Sequence, residues 1–204
     1  AFLTTGAADS RYALQSNTGS FVTTSQTGAF ASSSYVNQYV EYLYVDAGAM
    51  LTGVSGATAG TTTIGVSGLA YDSFDFDSTT VEYTDFKVAL PSWNLSPIKA
   101  KFQWSSTVAG TATWSIRAQA INNGDSLNNT WGTVQQVSGI LSPASGLNIT
   151  AATPSITIGG TPSSGALVVF HVYRDPNHGS DTLAADAQLL GVALQYTGVR
   201  TSAW

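Results

Sequence analysis

Between Ile98 and Ser105 apolar and polar residues alternate one for one. Ile98, Ala100, Phe102 and Trp104 are apolar, and Lys99, Lys101, Gln103 and Ser105 separate them. A period of two sends successive side chains to opposite sides of an extended chain, so the stretch predicts a strand with one buried face. Ala112, Trp114, Ile116, Ala118 and Ala120 repeat the pattern against Thr113, Ser115, Arg117 and Gln119. Related signatures return at 36–45, 62–66, 69–76, 83–90, 130–137, 147–150, 155–158, 166–173 and 189–197. Turn residues punctuate them, at Pro91-Ser92, Asn122-Asn123-Gly124-Asp125, Ser142-Pro143, Gly159-Gly160-Thr161-Pro162 and Asp175-Pro176-Asn177. Only 180–187 reads as a short helix, with Ser180 or Asp181 as its N-cap. Many short strands at this spacing predict an all-β fold over residues 35–204, an antiparallel β-sandwich of jelly-roll-like form.

Residues 1–34 break the pattern. Thr-Gly recurs at Thr5-Gly6, Thr18-Gly19 and Thr27-Gly28, and Phe2-Leu3-Thr4-Thr5 is echoed by Phe21-Val22-Thr23-Thr24. So few large apolar residues cannot offset the entropy of ordering one copy. The segment is either a flexible leader or a repeat that packs against identical copies as a stalk. The first residue is Ala1 rather than Met, which reads as a processed chain or a part of a longer one.

Composition narrows the function. Only 9% of the 204 residues are charged, against about 25% in an ordinary soluble protein. The net charge is -5, and the seven basic residues are scattered. Nucleic-acid binding, which needs clustered Lys and Arg, is disfavoured. No apolar run approaches the ~20 residues of a membrane-spanning helix. There are no cysteines, so disulfides and thiolate metal sites are excluded.

Candidate chemistry is sparse. Of the two histidines, His171 stands in an apolar strand and reads as structural, whereas His178 stands in the turn Asp175–Asp181 and reads as exposed or as a ligand contact. Glu41 and Glu82 are the only glutamates, the one pair to test for glycoside hydrolysis. Asp75 and Asp77 share a strand face, read as solvated rather than as a calcium site. Arg174 offers the acidic turn after it an ion-pair partner. Trp104 and Trp114 fall on apolar strand faces and are expected in the core. Trp131 follows a run of amides and hydroxyls, so it either stacks on a sugar ring or anchors its own loop. Asn94, Asn128 and Asn148 open Asn-x-Ser/Thr triplets, which arise by chance in a chain this rich in hydroxyls. No cofactor and no metal is predicted.

The leader, with Ala7-Ala8-Asp9-Ser10-Arg11-Tyr12-Ala13-Leu14, Thr18-Gly19-Ser20-Phe21 and Thr27-Gly28-Ala29-Phe30, resembles the stalk repeats of tailed-bacteriophage tail fibres. The remainder resembles the C-terminal β-rich domain of phage fibre and virion appendage proteins. Its recognisable pieces are Tyr42-Leu43-Tyr44-Val45-Asp46-Ala47-Gly48-Ala49-Met50, Phe74-Asp75-Phe76-Asp77, Leu90-Pro91-Ser92-Trp93-Asn94, and an ending of Tyr173-Arg174-Asp175, Asp181-Thr182-Leu183-Ala184-Ala185-Asp186-Ala187 and Leu190-Gly191-Val192. The resemblance implies a homotrimer on the outside of a virion, joined to other virion proteins, with a stalk at 1–34 and a knob at 35–204. It implies a non-enzymatic attachment protein for a host surface glycan or outer-membrane protein. The alternatives are a decoration protein of capsid or tail without a receptor, and a secreted carbohydrate-binding module. Loop residues Asn123, Asp125, Asn128, Asn129 and Trp131 are the first receptor-binding candidates, followed by Asn177 and His178.

Overall fold

Among the described residues twelve strands form two sheets, and inward-facing aromatics lock the sheets together. The computed structural model describes residues 38–53, 56–64, 69–90, 92–163 and 165–199. The predicted stalk lies outside the described residues. The strands are β1 (Gln38–Asp46), β2 (Leu51–Thr52), β3 (Thr58–Ile64), β4 (Leu69–Phe76), β5 (Tyr83–Ala89) and β6 (Lys99–Ser105). They continue as β7 (Gly110–Ile121), β8 (Gln135–Leu141), β9 (Asn148–Ile149), β10 (Ile158–Gly159), β11 (Leu167–Arg174) and β12 (Ala187–Val199).

The first sheet runs β3-β4-β12-β6-β9, with β1 also on β12; the second runs β10-β7-β11-β5-β2, with β8 also on β7. Chain order thus alternates between the sheets, β4 to β5 and β6 to β7, and β11 and β12 return to the middle of each. That is a jelly roll, as the sequence predicts. Among the named strands of the described residues, β10 pairs in parallel with β7, with Ile158 opposite Ala118 and Gly159 opposite Gln119.

Trp114 of β7 binds the layers. Its ring meets Phe76 of β4 edge-on at 5.1 Å and stacks with Phe102 of β6 at 5.5 Å. All three are fully buried, and Phe86 and Phe170 stack at 5.0 Å elsewhere in the same core. Rings of this size each remove about 150–250 Å² from water, and offset or edge contacts add to that gain. Trp104 is buried as predicted, and its indole N–H donates to Asn148 Oδ1 at 2.9 Å. Phe74 and Phe76 point inward while Asp75 and Asp77 do not.

Two elements differ from the sequence reading. The strand predicted at 130–137 begins only at Gln135 and runs to Leu141. Residues 130–132 instead cross close to β10, as set out below. No helix forms over 180–187, where a turn and irregular chain lead into β12 at Ala187. The buried guanidinium of Arg174 takes the groups a helix would need. Its Nη2 and Nε donate to the Asp181 carboxylate at 2.8 and 3.1 Å, and its Nη1 donates to the Ala185 carbonyl at 2.7 Å. Asp181 Oδ2 also accepts from the Thr113 amide at 2.9 Å. The ion pair read from the sequence therefore exists, and it organises the β11–β12 connection.

Candidate functional site

β7, β11 and β5 lie side by side in the second sheet. Their even-numbered residues, such as Ile116, Ala118, Val168, Phe170, Val172 and Phe86, fill the core. Their odd-numbered residues face the other way and carry unusual chemistry. In one row across the sheet Asp85, His171 and Arg117 stand opposite one another; in the next, Tyr83, Tyr173 and Ser115 do. Gln136 of β8 extends the second row beside Ser115. The row Lys87, Val169 and Gln119 follows on the other side.

The rings form a continuous group. Tyr83 stacks on His171 at 4.6 Å and lies 5.3 Å from Tyr173. Trp131 joins from the β7–β8 connection, 5.4 Å from the His171 ring, with the Arg117 guanidinium 4.8 Å from its ring centre. His171 Nδ1 lies 2.6 Å from Asp85 Oδ1. A carboxylate only accepts, so Nδ1 carries the proton and Nε2 is left as an acceptor when the ring is neutral. Gln136 Nε2 donates to Ser115 Oγ at 3.0 Å and to Asp175 Oδ2 at 3.2 Å. Burial pushes the Tyr173 hydroxyl above its ordinary pKa, a shift that its bond to Ser115 opposes, so this phenol stays neutral through the physiological range.

Trp131 reaches this face because the connection doubles back. Residues 122–129 form the tip, and then the Gly132 amide donates to the Ala118 carbonyl at 2.9 Å. Two glycines permit the approach to β10. A Cβ on Gly132 would lie 1.8 Å from the Thr157 carbonyl oxygen, and one on Gly159 would lie 2.1 Å from the Thr130 oxygen. Only chain without side chains at both points fits this crossing.

The candidate loop residues divide by role. Trp131 is on the aromatic face. Asn129 is spent on scaffolding: its Nδ2 donates to the Ala120 carbonyl at 3.0 Å, and its Oδ1 accepts from the Thr130 amide at 2.8 Å. Asp125 accepts from the backbone and side-chain N–H of Asn122, both at 2.9 Å, and closes the tip. Asn123 and Asn128 are exposed there. Asn177 and His178 are at the other end of the strands, since Leu167 faces Ile121 while Arg174 faces Trp114. The eight residues of β11 place the two turns about 25 Å apart, so they do not make one site. His178 Nδ1 accepts from the Ser180 amide at 3.1 Å.

Sequence reasoning missed Arg117, His171, Tyr83, Tyr173 and Asp85 as a group. Each signals only a polar or aromatic residue on an outward strand face. The register that gathers residues 83–173 is not written in any local window. The glutamates do not gather likewise: Glu41 is in β1 of the first sheet, and Glu82, just before β5 of the second, accepts from the Asp77 amide at 2.7 Å. Among the described residues no three His, Cys, Asp or Glu side chains converge as a metal site, and no helix is long and apolar enough to cross a membrane.

Fold and face together define a two-sheet β-sandwich that carries an aromatic and polar platform on one outer sheet. No family model and no curated protein matches the chain. Among solved structures, the enzymatically active domain of bacteriophage CBA120 tailspike protein 4 aligns with 80% of this chain at 11% identity and a TM-score of 0.32. This chain spans 19% of that one. TmCBM61, solved in complex with β-1,4-galactotriose, aligns over 80% of this chain and 88% of its own at 11% identity and a TM-score of 0.33. Both scores are too low to carry an assignment.

Proposed function

We propose that this chain is the receptor-binding head of a bacteriophage tail fibre or related virion appendage, which attaches to a host surface glycan without catalysis. The observation that carries glycan binding is the platform of Trp131, His171, Tyr83 and Tyr173 with Arg117 among them. Aromatic faces match the apolar face of a pyranose ring, and flanking planar polar groups match its hydroxyls. The virion setting rests on the resemblance of residues 1–34 to fibre stalks and on the low charge of the chain. In that setting the protein is an extracellular homotrimer joined to other virion proteins, and several weak heads give firm attachment through effective concentration. A secreted carbohydrate-binding module would carry the same platform as a monomer, and a decoration protein would have no use for it.

The test is adsorption of purified full-length protein to candidate host cells, before and after enzymatic glycan stripping. Trp131→Ala should reduce binding by at least tenfold, and glycan stripping should abolish it. Asn177→Ala, at the opposite end of β11, should leave it unchanged. Undiminished binding of Trp131→Ala would remove the platform from the mechanism.

A further inference from the structure

The Arg117 side chain has neither an ion pair nor a hydrogen bond among the described residues, and its Nε is buried without a partner. Its guanidinium lies 4.8 Å from the centre of the Trp131 ring. Two positions along the same strand face, Gln119 is 5% exposed, and its Oε1 is likewise buried and unpaired. Unsatisfied groups of this kind are costly in a folded protein and are uncommon without a reason. Arg174 is the contrast within the same chain, because its guanidinium is met by Asp181 and backbone carbonyls.

From this we infer that the platform reads an acidic sugar: the Arg117 fork binds the carboxylate of a uronic- or ulosonic-type residue whose ring lies against Trp131. The inference rests on the glycan reading above and specifies its ligand. A planar guanidinium pairs with a carboxylate through two parallel N–H···O bonds. A guanidinium held with its face against an aromatic ring, as Arg117 is over Trp131, donates in its own plane and so can pair with a carboxylate through its Nη atoms. Gln119 Oε1 and His171 Nε2 are acceptors, suited to the hydroxyls of the same or the adjoining sugar. The charges of this face favour a single negative group over a doubly charged phosphate. Arg117 and Lys87 together are matched by Asp85, which His171 engages, and by Asp175, which Gln136 engages, so this face has no surplus positive charge for a second negative group. Lys87 is exposed one row away.

Calorimetric titration of the full chain tests this. The ligands are a panel of uronic- and ulosonic-acid oligosaccharides, each beside its carboxyl-reduced form, with neutral and phosphorylated oligosaccharides of equal length. At least one acid should bind, its carboxyl-reduced form should bind about 10- to 100-fold more weakly, and Arg117→Gln should produce the same loss. Arg117→Lys should recover only part of the affinity. Added salt should weaken the acid and leave neutral ligands unaffected. Unfolding midpoints of both variants, compared with that of the parent, separate lost recognition from lost structure. Equal binding of acid and reduced forms overturns the inference but leaves the glycan reading standing, provided Trp131→Ala still abolishes both. Preference for the phosphorylated oligosaccharide overturns the carboxylate assignment. If no oligosaccharide binds while host cells bind the protein regardless of glycan stripping, both readings fall.

Discussion

Arg174 and Arg117 belong to one sheet, yet the chain treats them in opposite ways. Arg174 ends β11 facing inward, and the chain after it bends to supply a carboxylate and carbonyls. Removing Asp181 would leave a fully buried guanidinium without its counter-charge, which costs about 3–5 kcal/mol. Asp181→Ala should therefore lower the urea midpoint sharply at an unchanged slope. The paired replacement Arg174→Met with Asp181→Leu should recover much of the loss, because a well-packed apolar pair avoids the desolvation penalty. Recovery failing altogether would mean that the carbonyl contacts of Arg174, rather than the ion pair, hold the connection. Arg117 was as visible in the sequence as Arg174, as a basic residue in a strand. The lack of a hydrogen-bond partner for its side chain became visible only when the register set it opposite His171, with Trp131 over its guanidinium.

At the scale of elements, the β7–β8 connection is anchored at its return leg. Gly132→Ala forces a Cβ into the Thr157 carbonyl, and overpacking of backbone on backbone costs about 1–3 kcal/mol or more. The variant should melt earlier and bind glycan poorly, whereas Gly179→Ala, with open space around it, should do neither. The tip should have its own pH response. The Asn122 backbone and side-chain amides hold the Asp125 carboxyl below its ordinary pKa. A pKa lower in the folded than in the unfolded chain stabilises above the ordinary value of about 3.9, and that contribution fades as pH falls through the lower folded value. Amide exchange at Asn122 and Asp125 should quicken below about pH 4 relative to core amides, and Asp125→Asn should remove that dependence. Strands 69–76, 83–89, 99–105 and 167–174 were legible because one face of each is core and one is not. The segment 130–134 misled because Trp131 and Val134 extend the apolar pattern of β8, while the crossing with β10 is set by a glycine almost thirty residues away. At 180–187, Leu183 and Ala187 have helical spacing, but the demand of Arg174 for partners is stronger than local propensity.

For the whole molecule, alternation and turn spacing were enough to predict a two-sheet jelly roll, because burial on one face is a local property. The platform was not legible, because it depends on which strands are neighbours. The proposed assembly is checked directly: the full chain should scatter light as a trimer, and a stable monomer would favour the secreted-module reading. The crossing of Gly132 and Gly159 has one more effect. It separates the part of the connection that must stay fixed from the part that need not. Trp131 is held by backbone proximity and by Asn129, while Asn123, Ser126, Leu127 and Asn128 project at the tip with exposed side chains. Substitutions there can accumulate without disturbing the platform, so under the proposed glycan reading a lineage could change its preference for neighbouring groups on the same polymer while its basic grip is inherited intact.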